Sequence, residues 1–125
     1  MKIIIPFLFI YITIIHAEEV PYNPTPDRYV DIHHSKIDIK VDLDDSTVVG
    51  NVTHIMSSLR TDLYIIQLDC EDTEINKVLI NNNRPLKYSL NGPKLNIELD
   101  RTYGFDDTLT LSIDYTSRPK KGLYF

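Results

Sequence analysis

The sequence predicts an all-β fold, an antiparallel β-sandwich or a related twisted two-sheet structure of about seven to eight short strands. Apolar residues recur at every second position in several segments, and runs of turn-forming residues separate these segments. No window after residue 17 has helical periodicity over a useful length. Short strands joined by turns are typical of antiparallel sandwiches.

The N-terminal residues resemble a secretory signal peptide rather than part of the fold. Met1-Lys2 is a short basic start, Ile3–Ile15 is almost entirely apolar, and Ala17 precedes an acidic pair. This order predicts cleavage after Ala17 and a secreted or extracellular protein. The alternative is an uncleaved membrane anchor through residues 3–15, but a spanning helix needs about 20 apolar residues, and this run is shorter and contains Pro6.

The rest of the chain divides into a linker and one domain. Residues 18–28 carry Pro21, Pro24 and Pro26, which restrict the backbone and remove amide donors, so we interpret this stretch as a linker. Residues 29–125 have the length of a single domain with its own core.

The first half of the domain contains three predicted strands. Ile37, Ile39, Val41 and Leu43 alternate with charged residues, which predicts a half-buried strand with one wet face. A turn at 44–47 leads to a strand at 48–59, in which Gly50 indicates a bulge or bend. The third strand, 63–68, is apolar enough to be covered on both faces.

The second half contains a short strand at 75–80, a turn at 81–85, a hairpin and a final strand at 108–115. The hairpin pairs residues 86–90 with 95–99 across Asn91-Gly92-Pro93, a strong turn signal. Gly122–Phe125 resembles the start of a further strand, so we expect the domain to be incomplete at its C-terminal end.

Composition excludes some functions. The net charge of −5 argues against a nucleic-acid partner, because binding phosphates needs a basic face. The one cysteine, Cys70, has no internal disulfide partner, and no local feature would lower its pKa. We interpret it as a small buried hydrophobic residue near a strand end, with pairing to a cysteine outside this sequence as the alternative.

No metal-binding or catalytic pattern is present in the sequence. His33 and His34 are adjacent and are expected to point to opposite faces of an extended segment, and His54 stands alone. Asp38, Asp42 and Asp44 are interpreted as a solvated strand face rather than a calcium site. The tyrosines are spread over several strands and are expected to pack in the core and at interfaces.

Asn51-Val52-Thr53 is an N-glycosylation sequon. Asn51 is therefore a candidate glycan acceptor if the chain is secreted by a eukaryotic cell.

The order and spacing of the strands resemble the N-terminal β domain of the aminopeptidase N-like (gluzincin) zinc aminopeptidases. The resemblance covers about residues 29–125 and is carried by Ile37–Asp44, Val49–Thr53, Ile80-Asn81 with Pro85–Tyr88, Leu111–Tyr115 and Lys120–Phe125. It implies a saddle-like antiparallel domain that packs its concave side against the catalytic domain. In this family a His-Glu-x-x-His motif and a distant Glu hold zinc in that next domain.

The resemblance implies that this chain is a non-catalytic N-terminal domain, present as a fragment of a secreted zinc aminopeptidase that removes N-terminal residues from peptides. The chain has no His-Glu-x-x-His motif, so no catalytic, metal-binding or substrate-binding residue is assigned, and we expect it to be inactive alone. Its implied partners are the missing catalytic domain and, in the full-length enzyme, a peptide substrate, with zinc as cofactor there. One alternative is a stand-alone extracellular β-sandwich that binds a protein, and another is a scaffold relative that has lost catalysis.

Overall fold

The computed structural model describes residues 27–81 and 83–118. Every regular element in this part of the chain is a β-strand, so the predicted all-β class is confirmed. No helix among these residues is long and apolar enough to cross a membrane. The eight strands are β1 Val30–Asp42, β2 Thr47–Ser58, β3 Leu63–Asp69, β4 Thr73–Ile80, β5 Arg84–Pro85, β6 Lys87–Asn91, β7 Lys94–Tyr103 and β8 Thr108–Ser117.

The strands form two antiparallel sheets. The larger sheet has the order β1-β2-β8-β4-β5, and the smaller sheet has the order β3-β7-β6. The last strand, β8, lies between β2 and β4 and pairs with both of them. The predicted hairpin is confirmed as β6–β7, where Asn91 pairs with Lys94 and Gly92 adopts a φ of 57°. This left-handed conformation is one that glycine adopts without steric cost.

The hydrophobic core lies between the two sheets. Its buried side chains from the larger sheet are on β2, β4 and β8, and those from the smaller sheet are on β3 and β7. They are Met56, Val78, Ile80, Leu109, Leu111, Ile113, Leu63, Ile66, Leu95, Ile97 and Tyr103. Burying one large apolar side chain contributes about 1.5–3 kcal/mol, so packing rather than a disulfide stabilises this domain.

The prediction of a half-buried β1 is wrong. Ile37 and Ile39 are 63% and 58% exposed, although they lie on the same face of the sheet as the core residues. The reason is the position of β1, which is the outermost strand of the five-stranded sheet. The smaller sheet has only three strands, and the buried residues of the larger sheet all lie on β2, β4 and β8. The apolar side chains of β1 therefore lie beyond the part of the larger sheet that the smaller sheet covers.

The prediction that β3 is covered on both faces is also wrong. Leu63 and Ile66 are buried, but Tyr64 and Ile65 are 60% and 40% exposed. β3 is an edge strand of the smaller sheet, and within the described residues no third layer covers the outer face of that sheet. An apolar sequence alone does not distinguish a strand covered on both faces from a strand in an outer layer.

Gly50 does not form the bulge that was predicted. It stays in regular register with Ile39 on β1 and with Tyr115 on β8. A Cβ atom at this position would lie 2.6 Å from Cζ of Tyr115. Glycine is needed here because the tyrosine ring occupies the space that a side chain would fill. Among the described β1–β2 pairs, the register shift lies instead between Ile32 and His34.

Candidate functional site

A cleft opens where the inner face of the larger sheet extends past the smaller sheet. Its floor is formed by Val52, Ile113, Tyr115 and Ile75, which lie on neighbouring strands β2, β8 and β4. We call it the open-end cleft; its volume is about 430 Å³ and its remaining lining residues are His54, Leu68, Asp69, Cys70, Glu71, Thr73 and Leu95. This size falls within the range of about 300–1,000 Å³ that is typical of ligand sites, and the lining is mostly apolar.

His54 is the histidine that borders the cleft. Its Nδ1 atom lies 2.7 Å from Oγ of Ser35 on β1. Burial lowers the pKa of His54 below its ordinary value, because desolvation disfavours the imidazolium. A neutral imidazole next to apolar side chains suits packing and hydrogen bonding better than the binding of an anion.

Cys70 borders the other side of the cleft. It follows β3 directly, is half-buried and packs against the core, and its Sγ atom lies 3.7 Å from the carbonyl oxygen of Thr73. Burial raises the pKa of the Cys70 thiol, which makes it a weaker nucleophile at neutral pH. The interpretation of Cys70 as a packed residue near a strand end is confirmed, although its burial is partial.

The adjacent histidines lie at the irregularity of β1. Nε2 of His33 is 3.0 Å from Oγ of Ser57, and His34 is in register with Ile55. Ser57 and Ile55 both lie on the sheet face opposite to Met56, so the bulge brings both histidines to one face. The prediction that they point to opposite faces is wrong, because a bulge interrupts the regular alternation of side chains.

This rearrangement does not create a metal site. The described part of the chain contains no cluster of three or more His, Cys, Asp or Glu side chains that could hold a metal ion. Zinc sites use three or four such ligands, so the described residues do not fit a zinc ion.

The aspartates around β1 have ordinary structural roles. Asp38 forms an ion pair with Lys36 at 2.8 Å, and Oδ1 of Asp42 accepts the backbone N–H groups of Asp44 and Asp45 at 3.1 and 3.2 Å. Asp44 lies in the turn after β1 and not on the strand, which corrects its predicted position on the same face. The acidic residues therefore close the β1–β2 turn and form a solvated face.

Asn51 lies on β2 on the outer face of the larger sheet. Its Nδ2 atom donates hydrogen bonds to Oγ of Ser112 at 2.9 Å and to Oδ1 of Asp114 at 2.6 Å. Its Oδ1 atom accepts a hydrogen bond from Oγ1 of Thr53 at 3.1 Å. A glycan attached to Nδ2 would replace one of its two N–H groups, so a glycosylated Asn51 could keep only one of these two donated hydrogen bonds.

The predicted positions in the first 26 residues and in Gly122–Phe125 lie outside the described residues. The open-end cleft was not predicted, because its walls come from segments far apart in the sequence. One local signal was available, since a glycine inside a strand marks either a bulge or a close approach. At Gly50 the glycine marks a close approach, that of the Tyr115 ring.

The described fold resembles part of several solved peptidase structures. The M1 zinc metallopeptidase of Deinococcus radiodurans bound to a Tyr-Ser-Ala substrate superimposes with a TM-score of 0.67 and 18% identity, covering 77% of this chain and 22% of that one. A two-domain M1 zinc metallopeptidase bound to L-tryptophan gives a TM-score of 0.66 and 20% identity, with 79% and 24% covered. Leukotriene A4 hydrolase from Saccharomyces cerevisiae gives 0.63 and 19%, with 74% and 15% covered.

Sequence comparison is less informative than structure comparison for this chain. No family model matches it, and no curated protein is significantly similar to it in sequence. The chain spans only about a fifth of the length of the M1 peptidases that it resembles. The predicted resemblance is confirmed in structure, and the described residues have the fold of a β domain found in M1 zinc metallopeptidases.

Proposed function

We propose that this chain is the N-terminal β domain of a zinc metallo-aminopeptidase and that the chemistry takes place in a catalytic domain outside this sequence. In this role the domain flanks the active-site cleft of the full-length enzyme and helps to enclose the N-terminus of a peptide substrate. It contributes a surface and not a reacting group.

The observation that carries the proposal is the fold match. The five-stranded and three-stranded antiparallel sheets superimpose on the M1 peptidase with a TM-score of 0.67 over 77% of the chain. The same match covers 22% of the peptidase, which is the share expected of one domain among several.

A second observation supports a neighbouring domain. Ile37, Ile39 and Val41 continue the inner face of the larger sheet beyond the part that the smaller sheet covers, and they are 42–63% exposed. An apolar face of this kind is typical of a surface that another domain or protein covers. The open-end cleft lies on the same inner face, so one neighbour could contact both features.

Zinc belongs, in this proposal, to the catalytic domain. The described residues do not hold a suitable ligand set, and the sequence contains no His-Glu-x-x-His motif. Two of the three described histidines lie within hydrogen-bond distance of serine hydroxyls instead, with His33 near Ser57 and His54 near Ser35. The chain alone should therefore hydrolyse no peptide.

We also propose that the chain enters the secretory pathway and is cleaved after Ala17. The support is the apolar run Ile3–Ile15 followed by a small residue and an acidic pair. N-terminal sequencing of chain recovered from the medium of a secreting host tests this proposal. A mature N-terminus at Glu18 supports cleavage, whereas chain retained in the membrane with Met1 intact would support the anchor through residues 3–15.

The decisive experiment is to read the transcript beyond the codon for Phe125 in the source organism. A frame that continues to His-Glu-x-x-His and a distant Glu supports the proposal. The protein from that longer frame should hydrolyse aminoacyl-anilides and lose this activity when a chelator is added. The 125-residue chain, assayed in parallel with added zinc, should show no hydrolysis.

A stop codon directly after Phe125 would instead favour the stand-alone extracellular module. The exposed apolar residues on β1 and the apolar cleft would then serve a binding partner rather than a catalytic domain. Chelator-sensitive hydrolysis by the purified 125-residue chain would contradict both functions.

A further inference from the structure

Among the described residues, β1 is a long strand at the edge of its sheet, and most of its length is regular. It ends the five-stranded sheet, and in the described residues it pairs with β2 alone. From His34 to Asp42 its register with β2 has no irregularity. One side of such a strand presents backbone N–H and C=O groups that can pair with another strand. Proteins usually protect edges with proline, bulges, short strands or charged side chains. Residues 34–42 have no proline and no bulge, and the charges that they carry lie on one face of the strand and alternate in sign.

The side chains of this stretch alternate strictly between two faces. Ile37, Ile39 and Val41 form an apolar row that is exposed, as described above. The opposite face carries charges of alternating sign, which are Lys36, Asp38, Lys40 and Asp42.

The charge order is antisymmetric about Ile39. In an antiparallel pair of two identical strands with their two-fold axis at Ile39, Lys36 lies opposite Asp42 of the second copy and Asp38 lies opposite Lys40 of the second copy. On the other face, Ile39 lies opposite Ile39 of the second copy, and Ile37 lies opposite Val41. Opposite charges and apolar pairs directly across a ladder are the stabilising combinations.

We infer that β1 is a homodimerisation edge, at which a second copy of this chain adds its own β1 in antiparallel register centred on Ile39. The two five-stranded sheets then form one continuous sheet through an isologous, two-fold interface. The two apolar rows become neighbours on the inner face of this sheet, and the charges pair on its outer face.

The same side chains disfavour an axis one residue away from Ile39, whereas an axis at Ile37 or Val41 would keep one kind of opposite-charge pair but lose the other. An axis at Asp38 places Lys36 opposite Lys40 of the second copy, and an axis at Lys40 places Asp38 opposite Asp42. Both arrangements also place the axial charge opposite itself, and like charges directly opposite are destabilising. An axis between two residues places apolar side chains opposite charged ones, because a shift of one residue exchanges the faces.

Within one chain, no charged residue of β2 lies opposite Lys36, Asp38 or Lys40 of β1. On β2, the residues in register with Lys36, Asp38 and Lys40 are Thr53, Asn51 and Val49, all of them uncharged. The Lys36–Asp38 ion pair runs along β1 and not across to β2. Changing a charge on β1 therefore affects a second copy much more than it affects the fold of the chain.

The test compares the concentration dependence of the molecular mass by sedimentation equilibrium for the full chain and its variants. The unchanged chain should form dimers. The variant Asp38→Lys places lysine opposite lysine at two symmetric positions, and we expect it to raise the dimer Kd by about tenfold or more. The double variant Asp38→Lys/Lys40→Asp exchanges the two charges and should restore the original Kd.

A matched control has the same change in net charge at a site away from the edge. Asp62→Lys lies in the exposed loop between β2 and β3 and should leave the Kd unchanged. The apolar run Ile3–Ile15 is common to all variants, so association through that run would not depend on the charge of residue 38. A monomer up to about 100 μM would overturn the inference, and so would association that does not respond to Asp38→Lys.

Cross-linking tests the register independently. Ile39→Cys places two thiols directly opposite each other, within the Cα separation of about 4.4–6.8 Å that a disulfide needs, and mild oxidation should give a covalent dimer. Ile37→Cys lies opposite Val41 of the second copy and should not cross-link to itself. The unchanged chain, with Cys70, measures the background. Equal cross-linking of both variants would contradict an axis at Ile39.

Discussion

The contact between Gly50 and Tyr115 gives the sharpest prediction about stability. Gly50 lies near the start of β2 and is paired on both sides, and the Tyr115 ring of β8 occupies the position of a side chain on its Cα atom. The substitution Gly50→Ala adds one methyl group at this contact. The methyl carbon would lie 2.6 Å from both Cζ and Oη of the ring, so the ring has to move.

The expected magnitude follows from two opposing effects. Overpacking by a methyl group costs about 1–3 kcal/mol, and the lower half of this range applies because the outer end of the ring can turn into the open-end cleft. Replacing glycine by alanine also restricts the unfolded chain, which stabilises the fold by about 0.4–1 kcal/mol. We expect Gly50→Ala to lower the free energy of unfolding by about 1 kcal/mol in total.

Equilibrium unfolding in urea, followed by far-UV circular dichroism, measures this change. With a slope of about 1 kcal/mol/M for a small domain, the midpoint should fall by about 1 M. Gly104→Ala is the control, because a methyl group there lies 3.7 Å from Oδ2 of Asp107 at ordinary contact distance. Its midpoint should stay unchanged or rise.

A double-mutant cycle tests the cause. In a Tyr115→Ala background the space above Gly50 is empty, so Gly50→Ala should become neutral or stabilising by about 0.5 kcal/mol. An equal loss of stability in both backgrounds would refute the reasoning, since the cost would then come from the strand backbone and not from the ring.

Three further predictions concern a buried hydroxyl, a titrating ring and a modification site. Oη of the buried Tyr103 donates to Oδ1 of Asp100 at 3.0 Å, so Tyr103→Phe should cost about 1–2 kcal/mol in urea unfolding, whereas Tyr64→Phe on the exposed face should be neutral. Because burial lowers the pKa of His54, its folded pKa is below its unfolded pKa of about 6.5. The stability that this difference provides is present above that unfolded pKa and is lost as the pH falls through the folded pKa. The free energy of unfolding should therefore fall between pH 7.5 and pH 5, and it should fall less in His54→Gln. An equal fall in the variant would contradict the assignment of this pH dependence to His54. Chain from a secreting eukaryotic host should lose mass when glycans are removed enzymatically, and Asn51→Gln should abolish this difference; an unchanged mass on treating the original chain would remove Asn51 as an acceptor.

The candidate site shows where reasoning from the sequence reached its limit. Cys70 was correctly placed at a strand end from its local context, because the apolar run before it ends there. The histidines at 33 and 34 were placed wrongly, because the bulge that brings them to one face depends on the register between β1 and β2. No period-2 pattern reports such a shift.

The sequence by itself determined the local structure of this protein. Alternation of apolar and polar residues is a property of consecutive positions, and so is the turn chemistry at Gly92-Pro93, so the all-β class and the β6–β7 hairpin could be predicted. The order of the segments was also sufficient for the resemblance to the peptidase β domain, which the structural match confirmed.

Only the tertiary structure decided which strands are neighbours and which faces are covered. The insertion of β8 between β2 and β4 joins segments that are distant in the chain, and each local pattern would fit several such arrangements equally well. That choice leaves β1 at an edge, exposes Ile37 and Ile39, and places the Tyr115 ring over Gly50. The physical reason is that burial depends on what packs against a strand, and a strand's own residues do not specify its neighbour.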